Sequence, residues 1–299
     1  MAQPRIETQD LTVFLAVADE GSFGAAAVRL QLAQPSVSTR MAALERKLGV
    51  RLFQRGPRGS SLTTAGERFA HYAKRCVHLL AETEAAVRAD ELERLVVAAP
   101  ASLGTAIFPT VLEVLAGAPI DVVCRIAHSD EAVAAVLDGS AHAAFVLRRV
   151  LPPGVEARLV TSSAVAAVAA PDHPATALRR PQPGDLLDTA VVVHNWSEDA
   201  RQVSALFTDP RRNADHPVRL VGTPDIAVDL AQHAGYVALV PRYASARAVR
   251  AGTLVPLALP PLGVELDIRL VCPAGPARRP GVERLLAATA ELAGRIDSA

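Results

Sequence analysis

The sequence is poor in cysteine, and its three cysteines are far apart. Cys76, Cys124 and Cys272 form no CxxC pair and no Cys/His spacing that is typical of a zinc site. An odd number of distant thiols also gives no disulfide framework. We therefore expect no metal site and no disulfide. Cys124 and Cys272 lie in strand-like runs and are predicted to be small buried hydrophobes, whereas a redox role for Cys76 stays open.

Long apolar runs are also missing. Crossing a bilayer takes about 20 consecutive apolar residues, and the run SAVAAVAA at residues 163–170 is far too short. The first residues, MAQPRIETQD, lack the charged-then-apolar layout of a signal peptide. The sequence therefore predicts a cytoplasmic protein that does not interact with membranes.

The sequence contains none of the common catalytic or nucleotide-binding motifs. It has no GxSxG, no P-loop, no GxGxxG after a strand and no HExxH, and its histidines are scattered. We therefore expect a protein that is not an enzyme and that carries no cofactor. An enzyme on a two-lobed binding-protein fold is one alternative, but it would need an acid, base or metal set that the sequence does not offer.

Net charge is zero overall, because 31 Lys and Arg balance 31 Asp and Glu. The first 75 residues nevertheless hold 11 basic against 6 acidic residues, a net charge of +5. Six of these basic residues lie between Arg40 and Arg58, opposed there only by Glu45. Such a run is often just a solvated face, but here it also marks a candidate nucleic-acid surface.

Residues 34–49, QPSVSTRMAALERKLG, are predicted to form one helix with two different faces. Apolar residues at three- and four-residue spacing form a stripe that would be buried, namely Val37, Met41, Leu44 and Leu48. Pro35 suits the first helical turn. Off the stripe lie short polar side chains and Arg40, which are suited to base edges and phosphates in a major groove about 12 Å wide.

Two shorter helices are predicted before this one. Thr8 or Asp10 can cap the first, which Gly21 ends, and Ser22 can cap the second over residues 23–30. Three helices in this order are typical of a helix-turn-helix. The alternative is a small helical bundle that binds no nucleic acid.

A β-hairpin wing and a long helix are predicted next. Residues 50–62 contain a Gly- and Pro-rich turn, and Arg55 and Arg58 on it would lie at the height of the phosphates. Thr63 or Thr64 can cap a helix from residue 65 to about residue 95. Its heptad-like apolar stripe needs a partner, which is either the same helix of a second subunit or the C-terminal part of its own chain.

The run GSFGAAAVRLQLAQPSVSTRMAALERKLGVRLFQR, followed by LTTAGERF, resembles the N-terminal domain of LysR-type transcriptional regulators from about Leu11 to Phe69. Weaker similarity to the family's effector domain is carried by PDHP, HAGYVALVPRYAS and GTLVPL. The resemblance implies an α/β protein with an N-terminal winged helix-turn-helix, a long dimerising linker helix and a C-terminal two-lobed effector domain shaped like a periplasmic binding protein.

The resemblance also implies site residues and partners. The positions that meet DNA in the family are here Gln34, Pro35, Ser36, Ser38, Thr39 and Arg55. Our own interpretation of the charges adds Arg40 and Arg58. Thr39 departs from the family, whose members often carry a longer polar side chain there. The implied partners are a dyad promoter site in double-stranded DNA, a second subunit, a tetramer of such subunits, and RNA polymerase.

Strands and helices alternate from about Leu95 onward, which predicts a parallel-sheet lobe, a second lobe, and a strand, VELDIRLVC, returning to the first. A single helix over residues 280–295 is predicted to close the chain. The predicted domains are a winged helix-turn-helix at 1–64, a linker helix at 65–94 and an effector domain at 95–299, with lobe 1 at 95–162 and 267–299 and lobe 2 at 163–266.

Ligands of such folds bind beyond the carboxyl ends of the strands. The residues that follow strand ends are therefore candidates for a pocket that takes a small-molecule effector, and a helix N-terminus there favours an anion. Each of them alone is more often a cap or turn residue. The candidates are Ala101, Ser102, Leu103, His128, Ser129, His194, Asn195, Trp196 and Thr223.

The sequence thus predicts a DNA-binding transcriptional regulator controlled by a small molecule between two lobes. Besides an enzyme, a non-specific architectural DNA-binding protein is an alternative. It would explain the basic N-terminal segment but not the roughly 200 residues of two-lobed α/β protein behind it.

Overall fold

The computed structural model describes residues 6–56, 59–88, 92–148, 150–196, 199–275 and 278–298. The chain divides into two units, Met1–Glu93 with Ala134–Ala141, and Arg94–Val133 with His142–Ala299. We refer to the helices and hairpin before Glu93 as the head. The predicted fold class, a winged helix-turn-helix, a long helix and a two-lobed α/β domain, is confirmed.

The described part of the head contains four helices and one hairpin. Its elements are α1 Thr8–Glu20, α2 Phe23–Arg29, α3 Gln34–Leu48, β1 Phe53–Gly56, β2 Gly59–Leu62 and α4 Thr64–Arg88. The two strands pair antiparallel, so the predicted wing is present. The helix α4 is described as far as Arg88, and since the strand β3 already begins at Glu93, the helix does not reach the predicted end near Leu95.

Helix ends in the head follow local capping chemistry. The prediction that Thr8 or Asp10 caps α1 was wrong. Glu7 occupies the N-cap position, and its N–H donates to Asp10 Oδ2 at 3.2 Å. Ser22 caps α2 as predicted. Of the two candidates for α4, Thr63 is the cap, since its Oγ1 accepts from the Gly66 N–H at 3.0 Å.

Aromatic rings join the helices of the head to the wing and to α4. Phe14 of α1 is fully buried, and its ring centroid lies 5.2 Å from that of Phe53 in the wing and 4.8 Å from that of Phe69 in α4. Burial of such rings contributes on the order of 2–3 kcal/mol each. The core of the head therefore includes side chains of both the wing and α4.

From Glu93 onward strands and helices alternate. The elements are β3 Glu93–Ala99, α5 Ala101–Leu115, β4 Ile120–Ile126, α6 Ser129–Asp138, β5 Ala143–Val146, β6 Val155–Ala169, two 3-10 helices at Pro174–Ala177 and Pro183–Leu186, β7 Val191–His194, α7 Asp199–Leu206, β8 Val218–Val221, α8 Pro224–His233, β9 Val237–Pro241, α9 Arg242–Arg250, β10 Val255–Pro256, β11 Glu265–Pro273, α10 Pro280–Ala287 and α11 Thr289–Ser298.

One sheet runs through both lobes in the order β4-β3-β5-β11-β6-β9-β7-β8, with β10 beside β6. In the first lobe β3 and β5 are parallel, and in the second β7 is parallel to β8 and β9. The long strands β6 and β11 pair antiparallel and join the lobes, since β11 also pairs with β5 and β6 with β9. The predicted return of VELDIRLVC to the first lobe is confirmed.

Two elements differ from what the sequence patterns indicate. The strand β6 begins at Val155, eight residues before the apolar run at residues 163–170, because its first half pairs with β11 and contains no such run. The single closing helix was wrong. It breaks at Ala288, where the hydroxyl of Thr289 donates to the carbonyl of Leu286, a local side-chain bond that competes with continued helix.

No single helix among the described residues is long and apolar enough to cross a bilayer. Within the described ranges, α1 and α2 taken together reach that length and composition, and they meet at a bend of 119°.

Candidate nucleic-acid interface and effector site

The buried and exposed faces of α3 are separated as predicted. Val37, Met41 and Leu44 are at most 2% exposed and belong to the core of the head. The polar residues at the start of α3 face outward, and we call this set the reading face. Its members are Gln34, Pro35, Ser36 and Thr39, which are exposed, and Ser38 and Arg40, which are half-buried.

The first turn of α3 carries no side-chain cap. Its N-cap residue is Ala33, whose methyl group cannot bond the amides of the first turn, and Pro35 follows at the second helical position. Uncapped amides at a helix N-terminus suit a phosphate oxygen. The helix therefore presents both its side chains and its positive end on the same side of the head.

A buried carboxylate holds α3 against α1. Asp10 is 2% exposed, and its Oδ1 lies 2.9 Å from Arg40 Nη1 while its Oδ2 lies 2.9 Å from Lys47 Nζ. Glu7 adds a longer contact to Arg40 at 3.4 Å. Burial raises the pKa of the Asp10 carboxyl, but hydrogen bonds from Lys47, the Glu7 amide and Arg40 outweigh it, so that this pKa lies below its ordinary value.

The wing is attached to the helices by backbone groups. Glu45 Oε1 of α3 accepts from the N–H groups of Leu52 and Phe53 at 2.7 and 3.1 Å. At the other strand the Ser60 N–H donates to the Gly21 carbonyl at 2.8 Å. Arg55 pairs with Ser60 in the strand register.

Two predicted phosphate contacts cannot be located. The side chain of Arg55 and the whole of Arg58 lie outside the described residues. The contacts proposed for them rest on the position of the hairpin alone.

The long helix α4 has two apolar faces. Phe69, Ala73 and Val77 pack on the core of the head. A second set remains exposed, with Tyr72 at 66% and Leu79 at 63% exposure, together with Leu80 and Cys76. Apolar side chains that recur every three or four residues on an exposed face indicate a surface that pairs with another helix.

In the first lobe, the candidate residues after β3 have different environments. Ala101 is exposed at the start of α5, Ser102 is 7% exposed, and Leu103 is fully buried in the lobe core. The N-cap of α5 is Pro100, which offers no side-chain bond to the first turn. This leaves Ser102 as the polar side chain at an uncapped helix start.

A tyrosine that the sequence did not indicate lies beside Ser102. Tyr243 belongs to α9, yet its ring is buried in the core of the first lobe. Burial raises the pKa of its phenol well above the ordinary value, and Ser102 acts in the opposite direction. The phenol oxygen has no partner in good hydrogen-bond geometry within the described chain, so this approach of Ser102 is a weak contact.

The residues after β4 are engaged in capping. The exposed His128 donates its backbone N–H to Glu131 Oε2 at 3.1 Å, and Ser129 Oγ accepts from the Leu147 N–H at 3.1 Å. These contacts fix the start of α6 to the end of β5. Both residues thus act as cap or turn residues, His128 through its backbone and Ser129 through its hydroxyl.

In the second lobe, His194 and Trp196 form a partly buried aromatic pair with ring centroids 5.8 Å apart. His194 is 2% exposed, and burial lowers its pKa to about 4 against the effect of a hydrogen bond to Gly222. Its Nδ1 and the Trp196 Nε1 have no partner among the described residues.

Asn195 and Thr223 flank this pair. The Asn195 N–H donates to the carbonyl of Val221 at 2.8 Å, which ties the ends of β7 and β8 together and leaves the Asn195 residue exposed. Thr223 is the N-cap of α8, but its hydroxyl makes no cap bond. The ends of two parallel strands therefore bring His194, Trp196 and Thr223 to one edge of the sheet.

The described residues contain no disulfide and no cluster of potential metal ligands. All three thiols are free, with Cys272 buried as predicted but Cys124 only half-buried and Cys76 exposed. Burial raises the pKa of the Cys124 and Cys272 thiols. In the part of the chain that is described, no group of three or more His, Cys, Asp or Glu could hold a metal ion.

Two family comparisons identify the class of protein. Residues 8–67 match the family described as bacterial regulatory helix-turn-helix protein, lysR family, and residues 88–294 match the LysR substrate binding domain. The second match covers more than half of the chain. This protein therefore belongs to the LysR family.

Individual relatives agree with this assignment. An uncharacterized HTH-type transcriptional regulator of Mycobacterium tuberculosis, Rv2282c, is 33% identical over 171 residues, 54% of this chain and 55% of its own. The chain spans about half the length of the curated relatives it matches.

Two solved structures cover almost the whole chain. The full-length regulator LysG from Corynebacterium glutamicum with bound effector Arg has a TM-score of 0.66 at 22% identity and is covered to 98%, with 96% of this chain. Full-length CbnR complexed with its target DNA has a TM-score of 0.51 at 26% identity and is covered to 100%, again with 96% of this chain.

Proposed function

We propose that this protein is a sequence-specific DNA-binding transcriptional regulator whose binding responds to a small molecule held between the two lobes of its C-terminal domain. The observation that carries the proposal is α3, whose apolar side is buried in the head while its polar start and uncapped amides are exposed. The full-length relative CbnR, 26% identical, is known in complex with target DNA.

Within the head, the reading face meets base edges and phosphates in a major groove. Ser36, Ser38 and Thr39 are short enough to allow close approach of the helix, and Gln34 and Arg40 supply longer donors. In the contacts among the described residues, Arg40 binds Asp10 and Glu7 through Nη1, which leaves its other N–H groups for DNA. Arg55 and Arg58 on the wing contact the phosphate backbone and set position rather than sequence preference.

Two subunits pair through α4. The exposed face that includes Tyr72 and Leu79 supports this part of the proposal, because an isolated helix of 25 residues with such a face would leave apolar surface in water. Pairing places two reading faces on one dyad site. The same proposal includes assembly of the dimers into a tetramer and contact with RNA polymerase.

The effector site lies where the strand ends of both lobes meet. In the first lobe it uses Ala101, Ser102 and Leu103 at the uncapped start of α5, which favours an anionic group. The other proposed residues are His128, Ser129, His194, Asn195, Trp196 and Thr223. An effector acts by binding one arrangement of the lobes more tightly than another. The free energy by which it shifts the equilibrium between the two arrangements cannot exceed the difference between its two binding free energies.

Each proposed function is assigned to one of the domains expected from the sequence. Residues 1–64 bind DNA, residues 65–94 pair two subunits and residues 95–299 bind the effector. Regulation of promoters requires a cytoplasmic protein in a bacterium. The LysR family consists of regulators, which supports a binding function rather than catalysis.

Selection of DNA by the full-length protein tests this function. Duplexes recovered from a random library should share a dyad motif, and footprinting should show protection of that motif. Thr39→Ala should change the preferred bases, each good base contact being worth about 1–3 kcal/mol. Thr105→Ala, at an exposed threonine of α5, is the control.

If the recovered duplexes shared no motif, the result would instead support a non-specific architectural DNA-binding protein. Identical preferences for wild type and Thr39→Ala would remove Thr39 from the reading face.

A further inference from the structure

We propose that Asp10 is a positioning residue for DNA recognition, which sets the rotation of α3 by holding Arg40 and Lys47 from the first turn of α1. We call these three residues the Asp10 clamp. The inference rests on the proposed function and adds to it a residue that itself touches no DNA.

The geometry of the clamp fixes α3 at two heights. Arg40 and Lys47 are seven residues apart, two helical turns or about 10 Å along the axis. One carboxylate oxygen serves each cation, both at 2.9 Å. A helix held at two points two turns apart by the same carboxylate can neither slide nor rotate without lengthening one of these contacts.

The apolar core does not supply this constraint by itself. Val37, Met41 and Leu44 bury α3 against the head, but hydrophobic contact is non-directional. A rotation of about 20° displaces a group on the helix surface by about 2 Å. That is enough to turn a hydrogen bond with a base edge into no bond at all. Recognition of sequence is therefore more sensitive to the rotation of α3 than core packing is.

The cost of the clamp supports a role beyond stability. Asp10 is 3% exposed at its side chain, whereas Arg40 and Lys47 are about one third exposed. A buried ion pair commonly adds little to stability compared with apolar side chains of similar size, because its charges must be desolvated. The pair instead fixes a geometry.

The clamp also reduces the positive charge that the head presents to DNA. Arg40 and Lys47 belong to the basic cluster, but Asp10 and Glu7 neutralise them within the head. Their ammonium and guanidinium groups therefore contribute less to phosphate binding than their number suggests. Releasing them should strengthen binding that ignores sequence while it weakens binding that depends on sequence.

The variant Asp10→Asn tests the inference, because it keeps the size of the side chain and removes its charge. Two probes are needed, a duplex selected by the wild-type protein and a random-sequence duplex of equal length. The variant should lower the ratio of their affinities by about tenfold or more. Binding of the random duplex should hold or tighten, and its salt dependence should steepen by up to about 0.9 for each released cation.

Asp19→Asn is the matched control. Asp19 lies on the same helix and pairs with Arg29 at 3.3 Å, but both side chains are about half exposed. The control should leave the affinity ratio and the salt dependence at the wild-type values. A ratio and a slope unchanged in Asp10→Asn would overturn the proposal.

A purely structural role predicts a different result. If Asp10→Asn only reduces the folded fraction, both affinities fall by the same factor and the salt slope stays constant, which also overturns the proposal. Should this variant fail to fold, Lys47→Gln keeps the Asp10 pair with Arg40 and removes one of the two contacts. It should lower the affinity ratio without steepening the salt dependence, and an unchanged ratio would count against the clamp.

Failure of the proposed function has its own signature. A wild-type protein that enriches no duplex from the library would show that there is no recognition for Asp10 to position. The affinity ratio of the variants is informative only after the wild type has selected its duplex.

Discussion

Acidification is expected to lower the stability of the C-terminal domain, in part because His194 becomes protonated on unfolding. The substitution His194→Gln is expected to remove the part of this loss of stability that is due to His194. The imidazole is 2% exposed, and its folded pKa of about 4 lies below its ordinary value of 6.5. The unfolded chain therefore takes up a proton first as the pH falls. Stability associated with His194 is complete above about pH 6.5 and is lost as the pH falls toward 4.

The difference between the two pKa values sets the size of the effect. A difference of 2.5 pH units corresponds to a limiting loss of about 3 kcal/mol. At pH 5 the same linkage gives a loss of about 2 kcal/mol relative to pH 7.5. This is a sizeable share of the ordinary stability of a domain, about 5–15 kcal/mol.

The assay is urea unfolding at pH 7.5, 6.5 and 5, followed by the fluorescence of Trp196. It is the single tryptophan of the chain, and its ring lies 5.8 Å from His194, so the signal reports this lobe. Gln stays neutral and can still donate to the Gly222 carbonyl. Any constant cost of the substitution cancels when each variant is compared with itself at different pH.

Other groups also titrate between pH 7.5 and 5, so the informative quantity is the difference between variants. The wild type should lose about 2 kcal/mol more than His194→Gln between these limits. His128→Gln, at an exposed histidine of the same domain, should behave like the wild type. Equal losses in the wild type and in His194→Gln would refute the argument that burial keeps this imidazole neutral.

Two further predictions concern packing and assembly. Gly66→Ala should destabilise the head by about 1–3 kcal/mol, because the new methyl carbon would lie 2.1 Å from a backbone carbonyl oxygen. Gly294→Ala, where nothing lies within 4 Å, should be neutral or stabilising, and urea unfolding of both variants is followed by far-UV circular dichroism, which reports the helices of the whole chain. Leu79→Asp should weaken self-association at least about tenfold in sedimentation velocity. Leu178→Asp, at a leucine exposed outside α4, should not, and the opposite order would move the pairing surface away from α4.

The elements that the sequence predicted well are those that local patterns define. The periodicity of α3 and the capping of α2 by Ser22 depend on residues within a few positions of one another. The same holds for the two short strands of the wing. Where a side-chain bond interrupts the pattern, as Thr289 does in the last helix, periodicity alone predicts a continuous helix and is wrong.

The environment of Tyr243 could not be predicted in this way. The residue belongs to a short helix of the second lobe by sequence, but it is buried in the core of the first, beside Ser102. Periodicity shows which residues face inward, not which core they enter. The only available signal was an aromatic with a hydroxyl among the alanines and arginines of α9, and it fits a surface tyrosine equally well.

Asp10 shows the same limit for charges, with consequences for function. An acidic residue at the start of a helix suits both a cap and the helix dipole, so the local interpretation was complete without any partner. The partners that decide its role are 30 and 37 residues away in sequence. One sequence signal did exist, because Asp10 precedes Val13, Phe14 and Val17 at the spacing of the buried face of α1. A carboxylate on an apolar stripe must be paired or it destabilises the fold. The basic residues of a neighbouring predicted helix are then its candidate partners, and a count of positive charge should not assign them all to DNA.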